Sequence, residues 1–154
     1  MRKEFFTALH TAMAKDSSIY FLTGDLGFGL ADNIRDTYPD RFFNVGAAEQ
    51  LLITAGVGLA LQGRIPVCYS ITPFLIDRPF EAIKLYMNYE QIPVKLVGSG
   101  RGEDYAHDGQ SHFEHNTMDI LPNIIHLRPE LHELQQSVET LLYNDKPTFL
   151  SLCR

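Results

Sequence analysis

The sequence predicts an α/β fold, a mostly parallel sheet covered by helices on both faces in a three-layer α/β/α arrangement. Two observations carry this. Segments with helical spacing alternate with short apolar runs from one end of the chain to the other, the pattern of an open parallel sheet wrapped by helices. At 154 residues, 45% of them hydrophobic, the chain is long enough to bury one core and short for two ordinary domains. A single domain over 1–154 is therefore expected.

The elements follow in order. Glu4 to Lys15 carries a helical apolar stripe at Phe5, Leu9, Ala12 and Met13. Ser18 to Thr23 reads as a buried strand, with a Gly-rich turn, Gly24-Asp-Leu-Gly-Phe-Gly29, at its carboxyl end. A short extended segment from Arg41 leads into a helix over Ala47 to Gln62, stopped by Gly63, and Pro66 to Ile71 is the next strand. The spacing predicts a helix over Phe74 to Asn88 and strands over Val94 to Gly98 and Ile124 to Leu127. Pro129, placed at a first helical turn, opens a last helix to about Asn144, and Pro147 to Leu152 closes the sheet. Between Ser99 and Thr117 lies one long irregular segment holding three of the six histidines. Loops of that length in compact domains tend to be functional, and in open α/β sheets ligands gather where strands end.

Charge and composition narrow the function. A formal net charge of −6 without a Lys/Arg cluster argues against nucleic acid or an anionic membrane surface as the main partner, while a few local cations still suit a small anion. Cys68 and Cys153 both fall in apolar runs and read as reduced core residues. The start, Met1-Arg-Lys-Glu-Phe-Phe6, is not signal-like, and no apolar run is long enough to span a bilayer, so a cytoplasmic protein is expected.

Glu49 is the most informative residue. It opens a helix that continues Leu-Leu-Ile-Thr-Ala-Gly-Val-Gly-Leu-Ala-Leu61, a run with almost no polar side chain. A carboxylate buried there without a cation nearby would hold its proton more tightly, as a proton-handling acid does; a first-turn acid that complements the helix dipole is the plainer alternative. Asp108-Gly-Gln-Ser-His112 projects a carboxylate and an imidazole around a tight turn. A metal reading of His107, His112 and His115 fits poorly, because their spacing does not share one helix face and Gly109 interrupts the segment.

Five motifs now stand in register: Arg41 to Gln50, the glycine-containing helix after it, Thr72 to Ile83, Ile92 to Gly98, and Asp108 to His112 ahead of Leu121-Pro-Asn123. Along nearly the whole chain they resemble the pyrimidine-binding domain of transketolase-like thiamine diphosphate enzymes. The resemblance implies the thiamine diphosphate-binding fold of pyrimidine-binding type, with Glu49 as the catalytic carboxylate that contacts the cofactor's pyrimidine ring. It implies Phe74 and Phe80 as aromatic residues of the pyrimidine slot, although Asp77 and Arg78 stand where family members carry a further apolar or aromatic residue. It also implies Asp25 near the thiazolium side, Asp108 at substrate hydroxyls, and His112 beside the reaction centre. Asp25 could equally cap a turn. Arg2 and Arg154 fall where transketolases place substrate-phosphate arginines. Gly29 and Gly100 replace the usual Ser and His there, with Arg101 a possible substitute.

Family members hold the cofactor's diphosphate through a divalent metal bound by a Gly-Asp-Gly motif and a later Asn pair, and this sequence carries neither. The resemblance therefore implies a split enzyme. A separate diphosphate-binding transketolase-like subunit would supply the Mg²⁺ half of the site in an α2β2 assembly, without a carboxyl-terminal transketolase domain in this chain. The leading expectation is transfer of a two-carbon ketol unit between sugars, phosphorylated ones first. The alternatives are a carboligase resembling deoxyxylulose-phosphate synthase and a non-catalytic, partner-binding paralogue.

Overall fold

The computed structural model describes residues 1–154, the side chain of Asn116 excepted. In chain order it forms α1 (Arg2–Lys15), β1 (Ile19–Thr23), α2 (Asp32–Thr37), β2 (Phe42–Asn44), α3 (Glu49–Leu61) and β3 (Ile65–Ile71). Then come α4 (Thr72–Asp77), α5 (Phe80–Ala82), β4 (Lys95–Ser99), β5 (Ile125–Leu127), α6 (Leu134–Leu142) and β6 (Thr148–Leu152). The strands make one six-stranded sheet in the order β2-β1-β3-β4-β6-β5. Every pairing in it is parallel, so the mostly parallel sheet expected from the sequence is parallel throughout.

Two apolar layers hold the helices to the sheet. On one face Leu22, Cys68, Leu96 and Phe149 meet Leu52, Ile53 and Val57 of α3 and Leu75, Ile76, Ala82 and Ile83 beyond it. On the other, Phe21, Val67, Tyr69, Val97 and Leu150 meet α1 and α6 through Phe5, Leu9, Met13, Val138 and Leu141. β1 lies between β2 and β3, so the chain leaves it first to one side and then to the other. That reversal opens a crevice at the carboxyl ends of β1 and β3, the place where doubly wound sheets bind ligands.

α3 shows why the site carboxylate is buried. Its inward residues are Glu49, Leu52, Ile53, Gly56, Val57 and Ala60, one continuous stripe at helical spacing, so Glu49 is the first member of the core-facing row. A Cβ on Gly56 would lie 2.8 Å from the Cys68 sulfur, and glycine there lets α3 approach the sheet closely.

Beyond shifts of one or two residues at element ends, the structure departs from the sequence reading in several places. The helix expected over 74–88 breaks after Asp77, because Pro79 has no N–H and its ring would strike the preceding turn. A widened π-helical stretch, Ile83–Tyr89, completes it. The last helix starts later than Pro129, behind a capping box in which Glu130 and Glu133 satisfy each other's backbone N–H groups. α2 forms where the sequence reading assigns no element. Cys153 lies one residue past β6 rather than inside a strand, and both cysteines are free. Burial pushes the Cys68 thiol well above its usual range, which makes it a core residue and not a nucleophile. No helix among the described residues is long and apolar enough to cross a membrane.

Candidate functional site

The loop from β2 into α3 turns through Gly46, whose positive φ of 73° suits glycine. It delivers Glu49 to the sheet's crevice with 6% of its side chain exposed. Thr72, at the start of α4, donates its hydroxyl to the Gly100 carbonyl at 2.7 Å and so ties α4 to the end of β4. Pro73 occupies the first turn of α4, where its missing N–H costs nothing. Together these contacts fix Phe74 beside the crevice.

Arg78 closes the space between Glu49 and Phe74. Its Nη1 donates to Glu49 Oε1 at 2.7 Å, and its guanidinium carbon lies 3.6 Å from the centre of the Phe74 ring. The Arg78 side chain is 47% exposed. Glu49 therefore has a cation beside it, on the side that faces Phe74. The His112 ring meets Phe74 edge-on at 4.7 Å between centroids, and Ser111 Oγ lies 3.2 Å from His112 Nδ1. Carboxylate, guanidinium, phenyl ring and imidazole form one contiguous line.

A second cluster adjoins it through Tyr105, whose ring lies 6.4 Å from that of His112. Tyr105 is buried, its hydroxyl 2.8 Å from Ser99 Oγ and accepting from Arg2 Nη1 at 3.2 Å. The Arg154 guanidinium lies over the same ring at 5.1 Å, and its backbone N–H donates to Asp104 Oδ2. Arg2 and Arg154 thus meet at one tyrosine although they stand at opposite ends of the sequence. Arg101 is differently placed: its guanidinium donates to the Ser151 carbonyl at 2.6 Å and the Pro129 carbonyl at 2.8 Å. Those bonds brace the end of β6 and leave Arg101 poorly disposed toward an anion.

The remaining expected residues lie around this line. Asp25 is exposed at the carboxyl end of β1 with a positive φ of 61°, a conformation Asp tolerates better than most residues. Asn44 holds it there, accepting its N–H at 2.9 Å and donating to its carboxylate at 3.0 Å. Phe80 packs against the α3-side core. Asp108 faces His107 at 3.1 Å in a 3₁₀ turn. Among the described residues no group of three or more His, Cys, Asp or Glu side chains converges to hold a metal ion.

Sequence reasoning missed Arg78 and Tyr105. The signal for Arg78 was the departure at Asp77-Arg78 from the apolar pattern. Nothing in the sequence singles out Tyr105.

Residues 1–154 match, over their whole length, the family described as the pyrimidine-binding domain of transketolase. The chain belongs to this family. It is 32% identical over 149 residues to 1-deoxy-D-xylulose-5-phosphate synthase of Dehalococcoides mccartyi, covering 93% of this chain and 23% of that protein. It is 41% identical over 83 residues to a subunit of the apulose-4-phosphate transketolase of Actinobacillus succinogenes, covering 54% of this chain and 26% of the relative. A solved structure of a split-gene transketolase, an inactive β4 tetramer, superimposes with a TM-score of 0.85 at 26% identity over 99% of this chain and 51% of that one. The chain thus spans a quarter to a half of the length of these relatives. As a pyrimidine-binding domain of the transketolase family it has the fold that the five motifs imply.

The residues at the crevice fit the pyrimidine end of thiamine diphosphate. Glu49 offers an acceptor and Phe74 an aromatic face, and a planar N–H-bearing group, the Arg78 guanidinium, already meets both.

Proposed function

We propose that this chain is the pyrimidine-binding half of a thiamine diphosphate-dependent ketol transferase, completed by a diphosphate-binding transketolase-like subunit that brings Mg²⁺. The observation that carries this reading is the line of contacts from Glu49 through Arg78 to Phe74 and His112, beside the sheet's switch point. When bound, the cofactor supplies the carbanion that side chains cannot make.

The chain's own residues orient and move protons. From its buried, water-poor position Glu49 would share a proton with the pyrimidine ring nitrogen, where a charge-assisted hydrogen bond is strong. Phe74 offers the ring a flat apolar face. His112 reaches the same space from the loop and suits proton transfer to and from a carbonyl oxygen near neutral pH. Arg2 and Arg154, gathered at Tyr105, would clamp the phosphate of a sugar substrate, and Asp108, on the same loop as Tyr105, would meet its hydroxyls. Phe80 and Asp25 act from further away, through packing and through the turn after β1. The likeness to a split-gene transketolase and to one subunit of a multi-subunit transketolase supports the two-subunit arrangement, with α2β2 stoichiometry the expected assembly.

The likeness to 1-deoxy-D-xylulose-5-phosphate synthase, together with the Asp108-Gly-Gln-Ser-His112 loop, supports carboligation as the second reading. One experiment tests both. The chain, co-purified with a diphosphate-binding subunit, is titrated with thiamine diphosphate and Mg²⁺ in a calorimeter, then assayed for ketol transfer and for condensation to 1-deoxy-D-xylulose 5-phosphate. Saturable binding with ketol transfer lost in Glu49→Gln is expected; condensation activity instead selects the second reading, and no binding by any pair overturns both.

A further inference from the structure

The Arg78 guanidinium makes two contacts of the kind that a ring-protonated aminopyrimidine would make in this site. It presents an N–H edge to Glu49 at 2.7 Å and a flat face to Phe74 at 3.6 Å. Both groups are planar, carry N–H donors and stack on aromatic rings. We propose that Arg78 is a place-holder: it occupies the pyrimidine slot in the cofactor-free chain and must leave Glu49 when the ring enters. The proposal rests on the reading of Glu49 and Phe74 as that slot.

The surroundings of Arg78 support a movable side chain. It lies at the junction where α4 ends at Asp77 and α5 begins at Phe80, outside both helices. Its bond to Glu49 is the one hydrogen bond it makes among the described residues. Nearly half of the side chain faces solvent, so rotation about its stem carries the guanidinium into water without breaking any packed layer. Glu49, by contrast, is fixed on the inward stripe of α3 and cannot follow.

The place-holder keeps the Glu49 carboxylate partnered while the slot is empty, and because that partner is half exposed the pairing itself contributes little to stability. It also makes the ring compete with a guanidinium, so cofactor affinity is lower than the slot alone would provide. A permanent member of the loaded site would have the opposite effect, since its removal would weaken binding.

The test is a calorimetric titration with thiamine diphosphate and Mg²⁺ of the chain with its diphosphate-binding subunit, for wild type, Arg78→Ala, Arg78→Met and Glu49→Gln. Removing one half-exposed ion pair and one cation–π contact corresponds to roughly tenfold tighter binding in Arg78→Ala. Arg78→Met keeps the stem and should gain less. Millimolar methylguanidinium added to Arg78→Ala should refill the slot and weaken cofactor binding competitively, with no such effect on wild type. Unchanged or weaker binding in Arg78→Ala, with Glu49→Gln still impaired, overturns the place-holder and leaves the slot standing. Wild-type binding that Glu49→Gln does not alter would instead overturn the slot reading, and the place-holder with it.

Discussion

Two charged side chains are buried at opposite ends of the sheet, and they are held in different ways. At the amino end, Lys95 opens β4 with 1% exposure and donates to the Lys146 carbonyl at 2.6 Å, the Asn144 carbonyl at 2.8 Å and Asn144 Oδ1 at 3.2 Å. An ammonium has three protons, and here all three are engaged by acceptors that the fold holds in place. At the carboxyl end, Glu49 meets one cation, borne on a half-exposed, rotatable arm. Burial of a charge is therefore not itself a mark of chemistry. What separates the two is whether the partner can be exchanged for a ligand.

The sharpest way to break the comparison is Glu49→Gln. If Glu49 handles a proton, ketol transfer by the complete enzyme falls by about 10²–10⁴-fold while the melting temperature barely moves. An unchanged rate would put Glu49 in the same structural class as Lys95. The converse substitution, Lys95→Met, should leave cofactor binding intact and lower stability by roughly 2–4 kcal/mol, because the Asn144 and Lys146 carbonyls lose their donor. Urea unfolding of both proteins measures it.

Lys95 also makes a pH prediction. Burial lowers its pKa from 10.5 to about 8 in the folded chain. The unfolded chain thus binds more protons between these values, and stability attributable to this group rises as pH climbs from about 8 to 10.5 and is lost as pH falls through 8. The difference in unfolding free energy between wild type and Lys95→Met, measured at about pH 7.5 and about pH 10, should follow that direction; a flat difference would show that the ammonium keeps its proton throughout.

The smallest effect is expected for Arg78→Ala. A half-exposed pair contributes little, so stability should change by less than about 1 kcal/mol, read from the thermal midpoint. A loss several times larger would mean that Arg78 is as much a part of the framework as Lys95.

Much of this molecule was legible in its sequence, for identifiable reasons. The strands read as short apolar runs because a parallel sheet buries both faces, and the helices read by their stripe. Phe74 and the Asp108 to His112 loop could be named because each sits in a short motif that resembles the family's. The elements that were misread turn on context. Pro79 lies inside a periodic apolar pattern, and only the wider π-helical stretch after it shows how the chain absorbs the break. The start of α6 depends on a reciprocal cap between Glu130 and Glu133, which moves the helix beyond Pro129.

By itself the sequence determined the parallel α/β architecture, the membership of Glu49 in the buried stripe of α3, and the placing of its candidate partners at strand ends, since all of these follow from periodicities of two to four residues. Tertiary structure alone decided what those residues touch. The Arg78 to Glu49 bond spans 29 positions, Arg2 to Tyr105 spans 103, and Arg101 to Ser151 spans 50. Contacts at that range depend on how the layers stack and how the loops cross the crevice, and no local pattern of side chains carries that information.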